Sequence, residues 1–227
     1  MSNVNFEDIA QSKNQIIVIE HVTSGKKVEF PAFLTAFSDQ YGVQWSNDQI
    51  FGRQDPIKQY QSTSRTISIG FDILADDEQS ARSNLAKYSL MIKMLYPTYS
   101  APLGGAGNSI GRTIKAPPIV RMRFVNMIQS VSGNSSLLGC IDGLTFSPVD
   151  AAGYFYDTVG NLFPKHYKVD IKFTPQHEDI IGWDETNQSL SPDFPYSVGE
   201  EEIREITGNI SGRSAARNNL LGRGILS

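Results

Sequence analysis

This 227-residue sequence has only one cysteine, no apolar segment near its N-terminus and no long hydrophobic run. Each of these features excludes a class of protein. The single cysteine, Cys140, cannot form an intramolecular disulfide, which excludes a disulfide framework and fits assembly in a reducing cytoplasm. Its apolar neighbours predict a buried thiol. No apolar run approaches the ~20 residues of a membrane-spanning helix, and the N-terminal segment, which carries Glu7 and Asp8, does not resemble a secretory signal. We therefore expect a soluble protein without a membrane partner.

Ligand clusters and catalytic motifs are also missing. A zinc site needs Cys or His pairs about two to five residues apart, whereas His166 and His177 are eleven apart and flank a predicted strand. The spacing of Gly105, Gly107 and Gly111 is not that of a phosphate-binding loop, because no Lys-Ser/Thr pair follows. The sequence therefore predicts no enzyme activity, no metal and no cofactor.

The length and composition are those of a globular chain with one large domain, or with a domain and an extension: 40% of its residues are hydrophobic and 19% are charged. The net charge is only −4, so any basic surface for nucleic acid must be local. Apolar and polar residues alternate in "TISIGFDI" (66–73) and "HYKVDIKFT" (166–174), which predicts half-buried antiparallel strands with a charged solvent face. Other strands are predicted at 15–20, 28–37, 119–128 and 135–148.

The apolar period changes to that of an α-helix over residues 77–95. Asp76 is the predicted N-cap and Gln79 completes a capping box. Residues four and three apart predict a buried stripe that comprises Ala81, Leu85, Tyr88, Ile92 and Leu95. Helix capping explains Asp76 and Asp77 better than a catalytic acid/base pair does.

Two segments lack the alternation of apolar and polar residues that is typical of strands. Residues 100–118 are rich in glycine and proline and predict a long exposed loop. The chain beyond about residue 178 becomes rich in Asn, Ser, Gly and charge, so we expect a β domain over 1–178 and an extended C-terminal arm over 179–227. Residues 206–227 carry three arginines and no acidic residue, which predicts docking on a partner.

Several blocks resemble the tail-tube-like baseplate proteins of contractile-tailed bacteriophages. The blocks lie in the family's order and comprise "FGRQDPIKQYQSTSRTISIGFDILADD" (51–77), "EQSARSNLAKYSLMIKMLYPTY" (78–99), "APPIVRMRFVNMI" (116–128), "LLGCIDGLTFSPVDAAGYF" (137–155) and "LFPKHYKVDIKFTPQHEDIIGW" (162–183). The resemblance implies a mainly β fold, a β-barrel or sandwich of antiparallel strands with one helix packed outside. It also implies subunits that form hexameric rings around a channel.

The function that this resemblance implies is structural. The chain would be a virion protein, assembled in the host cytoplasm, that links the central hub to the tail tube and nucleates the tube. Hub and tube proteins would be its partners, and DNA would pass through the lumen without specific binding. The implied interfaces lie in the loop and the tail, with the candidate residues Gly104, Gly105, Gly107, Arg112, Arg213, Arg217 and Arg223.

Other functions stay open from the sequence. The ring could be a tail terminator, or the chain could be a monomeric, sheet-based adaptor that binds a host envelope component. A cell-wall hydrolase is a further alternative, for which the sequence offers no candidate residues. The LysM-type module of some relatives is not recognisable here, which puts cell-wall binding in doubt.

Overall fold

The computed structural model describes residues 15–31, 33–101, 111–131, 135–186, 189–191 and 193–198. These ranges are mainly β, with a single α-helix among them, which confirms the predicted class. The strands are β1 (Ile16–His21), β2 (Lys27–Pro31), β3 (Phe33–Asp48), β4 (Ile57–Leu74), β5 (Thr98–Tyr99), β6 (Ile114–Ala116), β7 (Val120–Phe124), β8 (Leu137–Pro148), β9 (Tyr154–Tyr156), β10 (Leu162–Pro164) and β11 (His166–Pro175). The helix is α1 (Glu78–Met94).

Seven of the strands form one antiparallel sheet in the order β2-β1-β7-β8-β11-β4-β3. The pairs β5–β6 and β9–β10 are separate two-stranded hairpins. The strands predicted at 135–148 and 166–174 correspond closely to β8 and β11. The connection between them, residues 149–165, contains a 3-10 turn, Asp150–Ala152, and the β9–β10 hairpin.

The core lies on one face of this sheet because alternate residues of its central strands are apolar. Direct pairing of β4 with β11 places their buried residues opposite one another. The buried set in these two strands is Ile67, Ile69, Phe71, Ile73, Tyr167, Val169, Ile171 and Phe173. Helix α1 covers this face, with Tyr88 stacked on Phe146 at a centroid distance of 4.5 Å.

The sheet curls until its two edges meet at one corner. Pro31 ends β2 at one edge and Phe33 begins β3 at the other, so the two edges come within about 7 Å there. Across the curl, the rings of Phe30 and Phe71 lie 6.2 Å apart. The predicted single strand 28–37 is therefore two strands at opposite edges. Pro31 divides them, since it cannot continue a ladder of hydrogen bonds.

Helix α1 has the predicted extent, but two details of the prediction were wrong. The N-cap is Asp77, whose carboxylate accepts a hydrogen bond from the Ser80 backbone N–H at 2.6 Å. The buried positions are Ala81, Asn84, Tyr88, Met91 and Met94, while Leu85 is half-buried and Ile92 is exposed. The polar Asn84 occupies the stripe because its side chain donates to the Leu74 carbonyl at 3.4 Å.

Other sequence predictions differ from the structure or lie partly outside the described residues. Cys140 is half-buried, so the expectation of a buried thiol was wrong. The predicted loop 100–118 contains β6, which pairs with β5, and its residues 102–110 lie outside the described ranges. The 1–178 and 179–227 division stays a prediction. None of the helical residues in the described ranges forms a segment of the length and apolarity needed to cross a bilayer.

Replacing Ile171 with Asp tests the core assignment. Ile171 is 2% exposed, so the variant would place an unpaired charge in the core and should lose at least about 4 kcal/mol of unfolding free energy. Lys172→Asp is the matched control, because Lys172 lies on the solvent face of the same strand and should tolerate an acid. Thermal melting by circular dichroism would compare them. Equal melting temperatures would contradict the assignment of β11.

Candidate assembly interface

Strands β3 and β4 run well past the edge of the core. β11 pairs with β4 only from Ile67 to Leu74. The preceding half of β4 pairs with β3 alone, in register from Gln40–Thr66 to Asp48–Ile57. We call residues 39–66 the ribbon and its connecting loop, residues 49–56, the tip. The ribbon is a two-stranded extension of a seven-stranded sheet.

One face of the ribbon carries a cluster of partly exposed apolar side chains. It carries Tyr41, Val43 and Trp45 on β3 and Tyr60 on β4, with 44 to 58% of each residue exposed. Trp45 and Tyr60 are directly paired, and their rings meet edge to face at 5.6 Å. Arg65, opposite Tyr41, lies two residues before the buried Ile67, so this face continues the core face of the sheet.

The other face of the ribbon is polar. Gly42 and Gln44 of β3 pair with Ser64 and Ser62 of β4, and directly paired residues share a face. This surface continues the outer face of the main sheet. On that face β11 exposes Lys168, Asp170 and Lys172, which alternate with its buried residues. The ribbon therefore has one apolar and one polar face, as the main sheet does. Its polar face is typical of a solvent-exposed surface, whereas its apolar face is not.

A buried ion pair lies where the ribbon leaves the core. The side chains of Arg65 and Asp39 are each 3% exposed, and Arg65 Nη2 donates to Asp39 Oδ2 at 2.6 Å. The Nε of Arg65 lies 3.0 and 3.1 Å from the two carboxylate oxygens. Tyr196 and Tyr41 also donate their hydroxyls to Oδ2, at 2.9 and 3.1 Å. These four residues and Phe194 form what we call the base cluster.

The base cluster ties the beginning of the predicted C-terminal arm to the ribbon. The guanidinium of Arg65 lies over the rings of both Tyr41 and Phe194, at 5.4 and 5.3 Å from their centroids. The Phe194 ring meets that of Tyr41 edge to face at 6.3 Å. The described part of the arm therefore packs against the base of the ribbon and helps to fix its direction.

Burial and charge shift the acid–base behaviour of this region. Burial opposes ionisation of Asp39, but hydrogen bonds from Arg65 and Tyr196 outweigh it and hold the pKa of this carboxyl below its usual value. Burial, reinforced by the positive charge of Arg65, lowers the pKa of His177. At neutral pH the cluster therefore holds an ionised Asp39, with an uncharged His177 nearby.

Of the seven residues that the sequence singled out as interfaces, the structure describes only Arg112, which lies outside the ribbon. Arg112 is exposed in the segment that precedes β6. The other six candidates, Gly104, Gly105, Gly107, Arg213, Arg217 and Arg223, lie outside the described residues. Sequence reasoning missed the ribbon, although Tyr41, Val43 and Trp45 show the period of two that could have indicated it.

Within the described ranges, no group of three or more His, Cys, Asp or Glu residues is placed so that it could hold a metal ion. His166 contacts a single carboxylate, that of Asp72, at 3.1 Å. His177 instead packs its ring edge to face on Phe194 at 5.3 Å. Both histidines thus have neighbours typical of structural roles.

Comparison with known proteins gives little beyond this geometry. No family model matches the sequence, and no curated protein matches it. Among solved structures, the chain is similar to a chain from the tail of an empty GTA particle, computed with helical refinement in C6 symmetry. The two are 10% identical, with a TM-score of 0.29 and a match that covers 72% of this chain and 92% of the other. A likeness this low assigns neither a fold nor a function.

Removing the carboxylate of the base cluster should destabilise the protein strongly. Asp39→Ala leaves the guanidinium of Arg65 buried without its counter-ion, and we expect a loss of about 3–5 kcal/mol in unfolding free energy. Asp48→Ala on the same strand is the control. Asp48 is exposed and accepts from Gln59 at 3.1 Å, so its removal should cost within about 0.5 kcal/mol. Urea unfolding would measure both; similar losses would contradict the role of the pair.

The same carboxyl predicts a loss of stability in acid. Because the folded-state pKa of Asp39 is lowered, its ionised form stabilises the fold above the unfolded pKa of about 3.9, and this contribution disappears as pH falls through the folded value. Asp39→Asn should therefore show a shallower decline in unfolding free energy below about pH 4 than the wild type. The slope should fall without vanishing, since the pKa values of Asp77 and Asp157 are lowered as well. Identical acid profiles would exclude this contribution.

Proposed function

We propose that this chain is a ring-forming structural subunit of a contractile phage tail. In this proposal it is a baseplate protein of the virion that links the central hub to the tail tube and nucleates tube assembly. Six copies form the ring, and the protein acts by presenting surfaces to its neighbours instead of by catalysing a reaction.

The observation that carries this proposal is the partly exposed apolar face of the ribbon. An isolated two-stranded ribbon is at best marginally stable in water. Contiguous apolar patches on soluble proteins commonly mark interaction sites. Here Val43, Trp45 and Tyr60 project from the core on a hairpin that its own chain leaves half-exposed. Such a face gains stability when another subunit covers it.

The shape of the subunit favours a ring over a symmetric dimer. A projecting ribbon that binds a different surface of the next copy makes a heterologous contact, and heterologous contacts close into rings when the rotation between copies allows it. The unpaired outer edges of β2 and β3 offer a second means of joining neighbours, since exposed strand edges readily accept another strand.

The polar sheet face supports a channel through such a ring. Along β11 the exposed charges alternate, with Lys168, Asp170 and Lys172, so that neither sign dominates. Tight binding of nucleic acid requires a concentration of basic residues and, for single strands, stacked aromatic residues. A wall of this kind suits DNA that passes without being held.

The resemblance of the sequence blocks to tail-tube-like baseplate proteins agrees with this function. The first block, residues 51–77, includes most of the tip and all of β4, and the second contains α1. A terminator ring would use the same kind of subunit, so the choice of the hub-proximal position rests on this resemblance.

The native mass of the purified protein tests the proposal directly. Light scattering over a range of concentrations, alone and with the neighbouring hub protein, should show a hexamer or a monomer that becomes a ring on the hub. A chain that remains monomeric beside the hub would contradict the ring and favour the monomeric adaptor.

A paired substitution tests the ribbon itself. Trp45→Ser with Tyr60→Ser should weaken association by at least about 30-fold, which corresponds to the ~2 kcal/mol expected of aromatic hot spots. Gln44→Ala with Ser62→Ala, on the opposite face of the same strands, is the control and should assemble normally. Circular dichroism would establish that both variants fold. Equal association would exclude the apolar face as the contact.

A further inference from the structure

The described part of the arm forms an open pocket with the segment that follows β7. Its volume is about 570 Å³. Apolar walls are formed by Val131, Ile180 and Leu190. Carboxylates are contributed by Glu178, Asp179 and Asp193. We call it the arm pocket. Ile180 and Leu190 are 77% and 50% exposed, so the described residues leave these apolar groups largely uncovered.

The charge of the arm pocket is negative. Arg121 donates to both carboxylate oxygens of Glu178 at 2.7 Å, which neutralises that residue. Among the described residues, no ion pair engages Asp179 or Asp193. The pocket therefore presents two carboxylates beside apolar walls, a combination suited to an apolar side chain accompanied by a cation.

The tip of the ribbon carries that combination. Phe51 is wholly exposed and Ile50 is 48% exposed. Arg53 follows Phe51 by two residues, and its backbone N–H donates to the Ile50 carbonyl at 3.2 Å, which holds the loop in a turn. The tip also contains Asp55, so the loop as a whole is not basic. The match depends on Arg53, which is only two residues from the aromatic Phe51. Aromatic and Arg side chains are the usual anchors of protein interfaces.

The tip and the arm pocket of one chain cannot meet. Phe194, next to Asp193 of the pocket, packs on Tyr41 at the base of the ribbon. β3 continues for seven residues beyond Tyr41, to Asp48, so at about 3.3 Å per residue the tip begins roughly 23 Å from that base. Any contact between tip and pocket must therefore join two copies.

We propose that the tip of one copy binds in the arm pocket of the next, with Phe51 between the apolar walls and Arg53 beside Asp179 and Asp193. This inference rests on the proposed ring and names the surface that receives the ribbon. Each copy offers one tip and one pocket, so the contact is heterologous and uses every copy equally in a closed ring.

Cross-linking of mixed variants tests the pairing. Both chains carry Cys140→Ser, which removes the only native thiol. One also carries Gln54→Cys, beside Arg53 in the tip, and the other carries Ser189→Cys, beside Leu190 of the arm pocket, so Phe51 and Leu190 both remain. A short bismaleimide joins thiols that lie close together. The expected result is a covalent heterodimer on a denaturing gel. Gln54→Cys mixed with Val159→Cys is the matched control, because Val159 is 84% exposed on the β9–β10 turn.

Charge exchange adds a second measurement. Arg53→Asp on the tip-bearing chain should reduce the cross-linked yield on the order of tenfold, since like charges across an interface repel. Asp193→Arg on the pocket-bearing chain should restore it. A structural defect in either variant would not be repaired by a substitution in the other chain.

The outcomes separate this inference from the proposed function. A ring by light scattering with the specific cross-link and the charge rescue supports both. A ring without the cross-link, or with equal labelling of the Val159 control, overturns the tip-to-pocket contact and leaves the ring. A chain that stays monomeric beside the hub overturns both.

Discussion

The buried ion pair between Arg65 and Asp39 lies at the point where seven strands narrow to two, and the direction of the ribbon depends on it. Burying two charges is expensive, and the cost is met only when their hydrogen bonds are well satisfied. Here the carboxylate receives donors from the guanidinium and from two tyrosines. One of these, Tyr196, comes from the far end of the described chain. A polar contact thus joins the sheet, the ribbon and the arm at one place.

The same alternation of side chains gives the protein both its core and its proposed interface. On β4 the apolar face is covered by α1 and the curled sheet as far as Ile67. Beyond Arg65 the face continues on the ribbon with Trp45 and Tyr60, and both side chains are at least half exposed among the described residues. The same alternation of apolar and polar residues therefore serves the core and the proposed interface. Apolar residues within reach of the core are buried in it, and those beyond it are available for assembly.

The elements that could be predicted from sequence are those with uninterrupted periodicity, above all β11, the core half of β4, and α1. β3 was predicted only as far as residue 37. A bulge at Leu34/Ala36 breaks its period of two near the start, and the later alternation of Tyr41, Val43 and Trp45 was present in the sequence but was missed. The base cluster was out of reach for a different reason. Asp39 is 26 residues from Arg65 and 157 from Tyr196, so only the tertiary fold brings them together. Residue type alone gave no sign that these three side chains share a site.

The corner at residues 31–33 has a mechanical consequence for a protein with a long projecting hairpin. Pro31 belongs to the ladder with β1 and Phe33 to the ladder with β4, although one residue separates them. Tension applied at the tip along β3 therefore passes through the backbone into β2, at the opposite edge. The load is shared between two hydrogen-bonded ladders instead of peeling one strand away. Such a subunit can transmit a pull across its whole width.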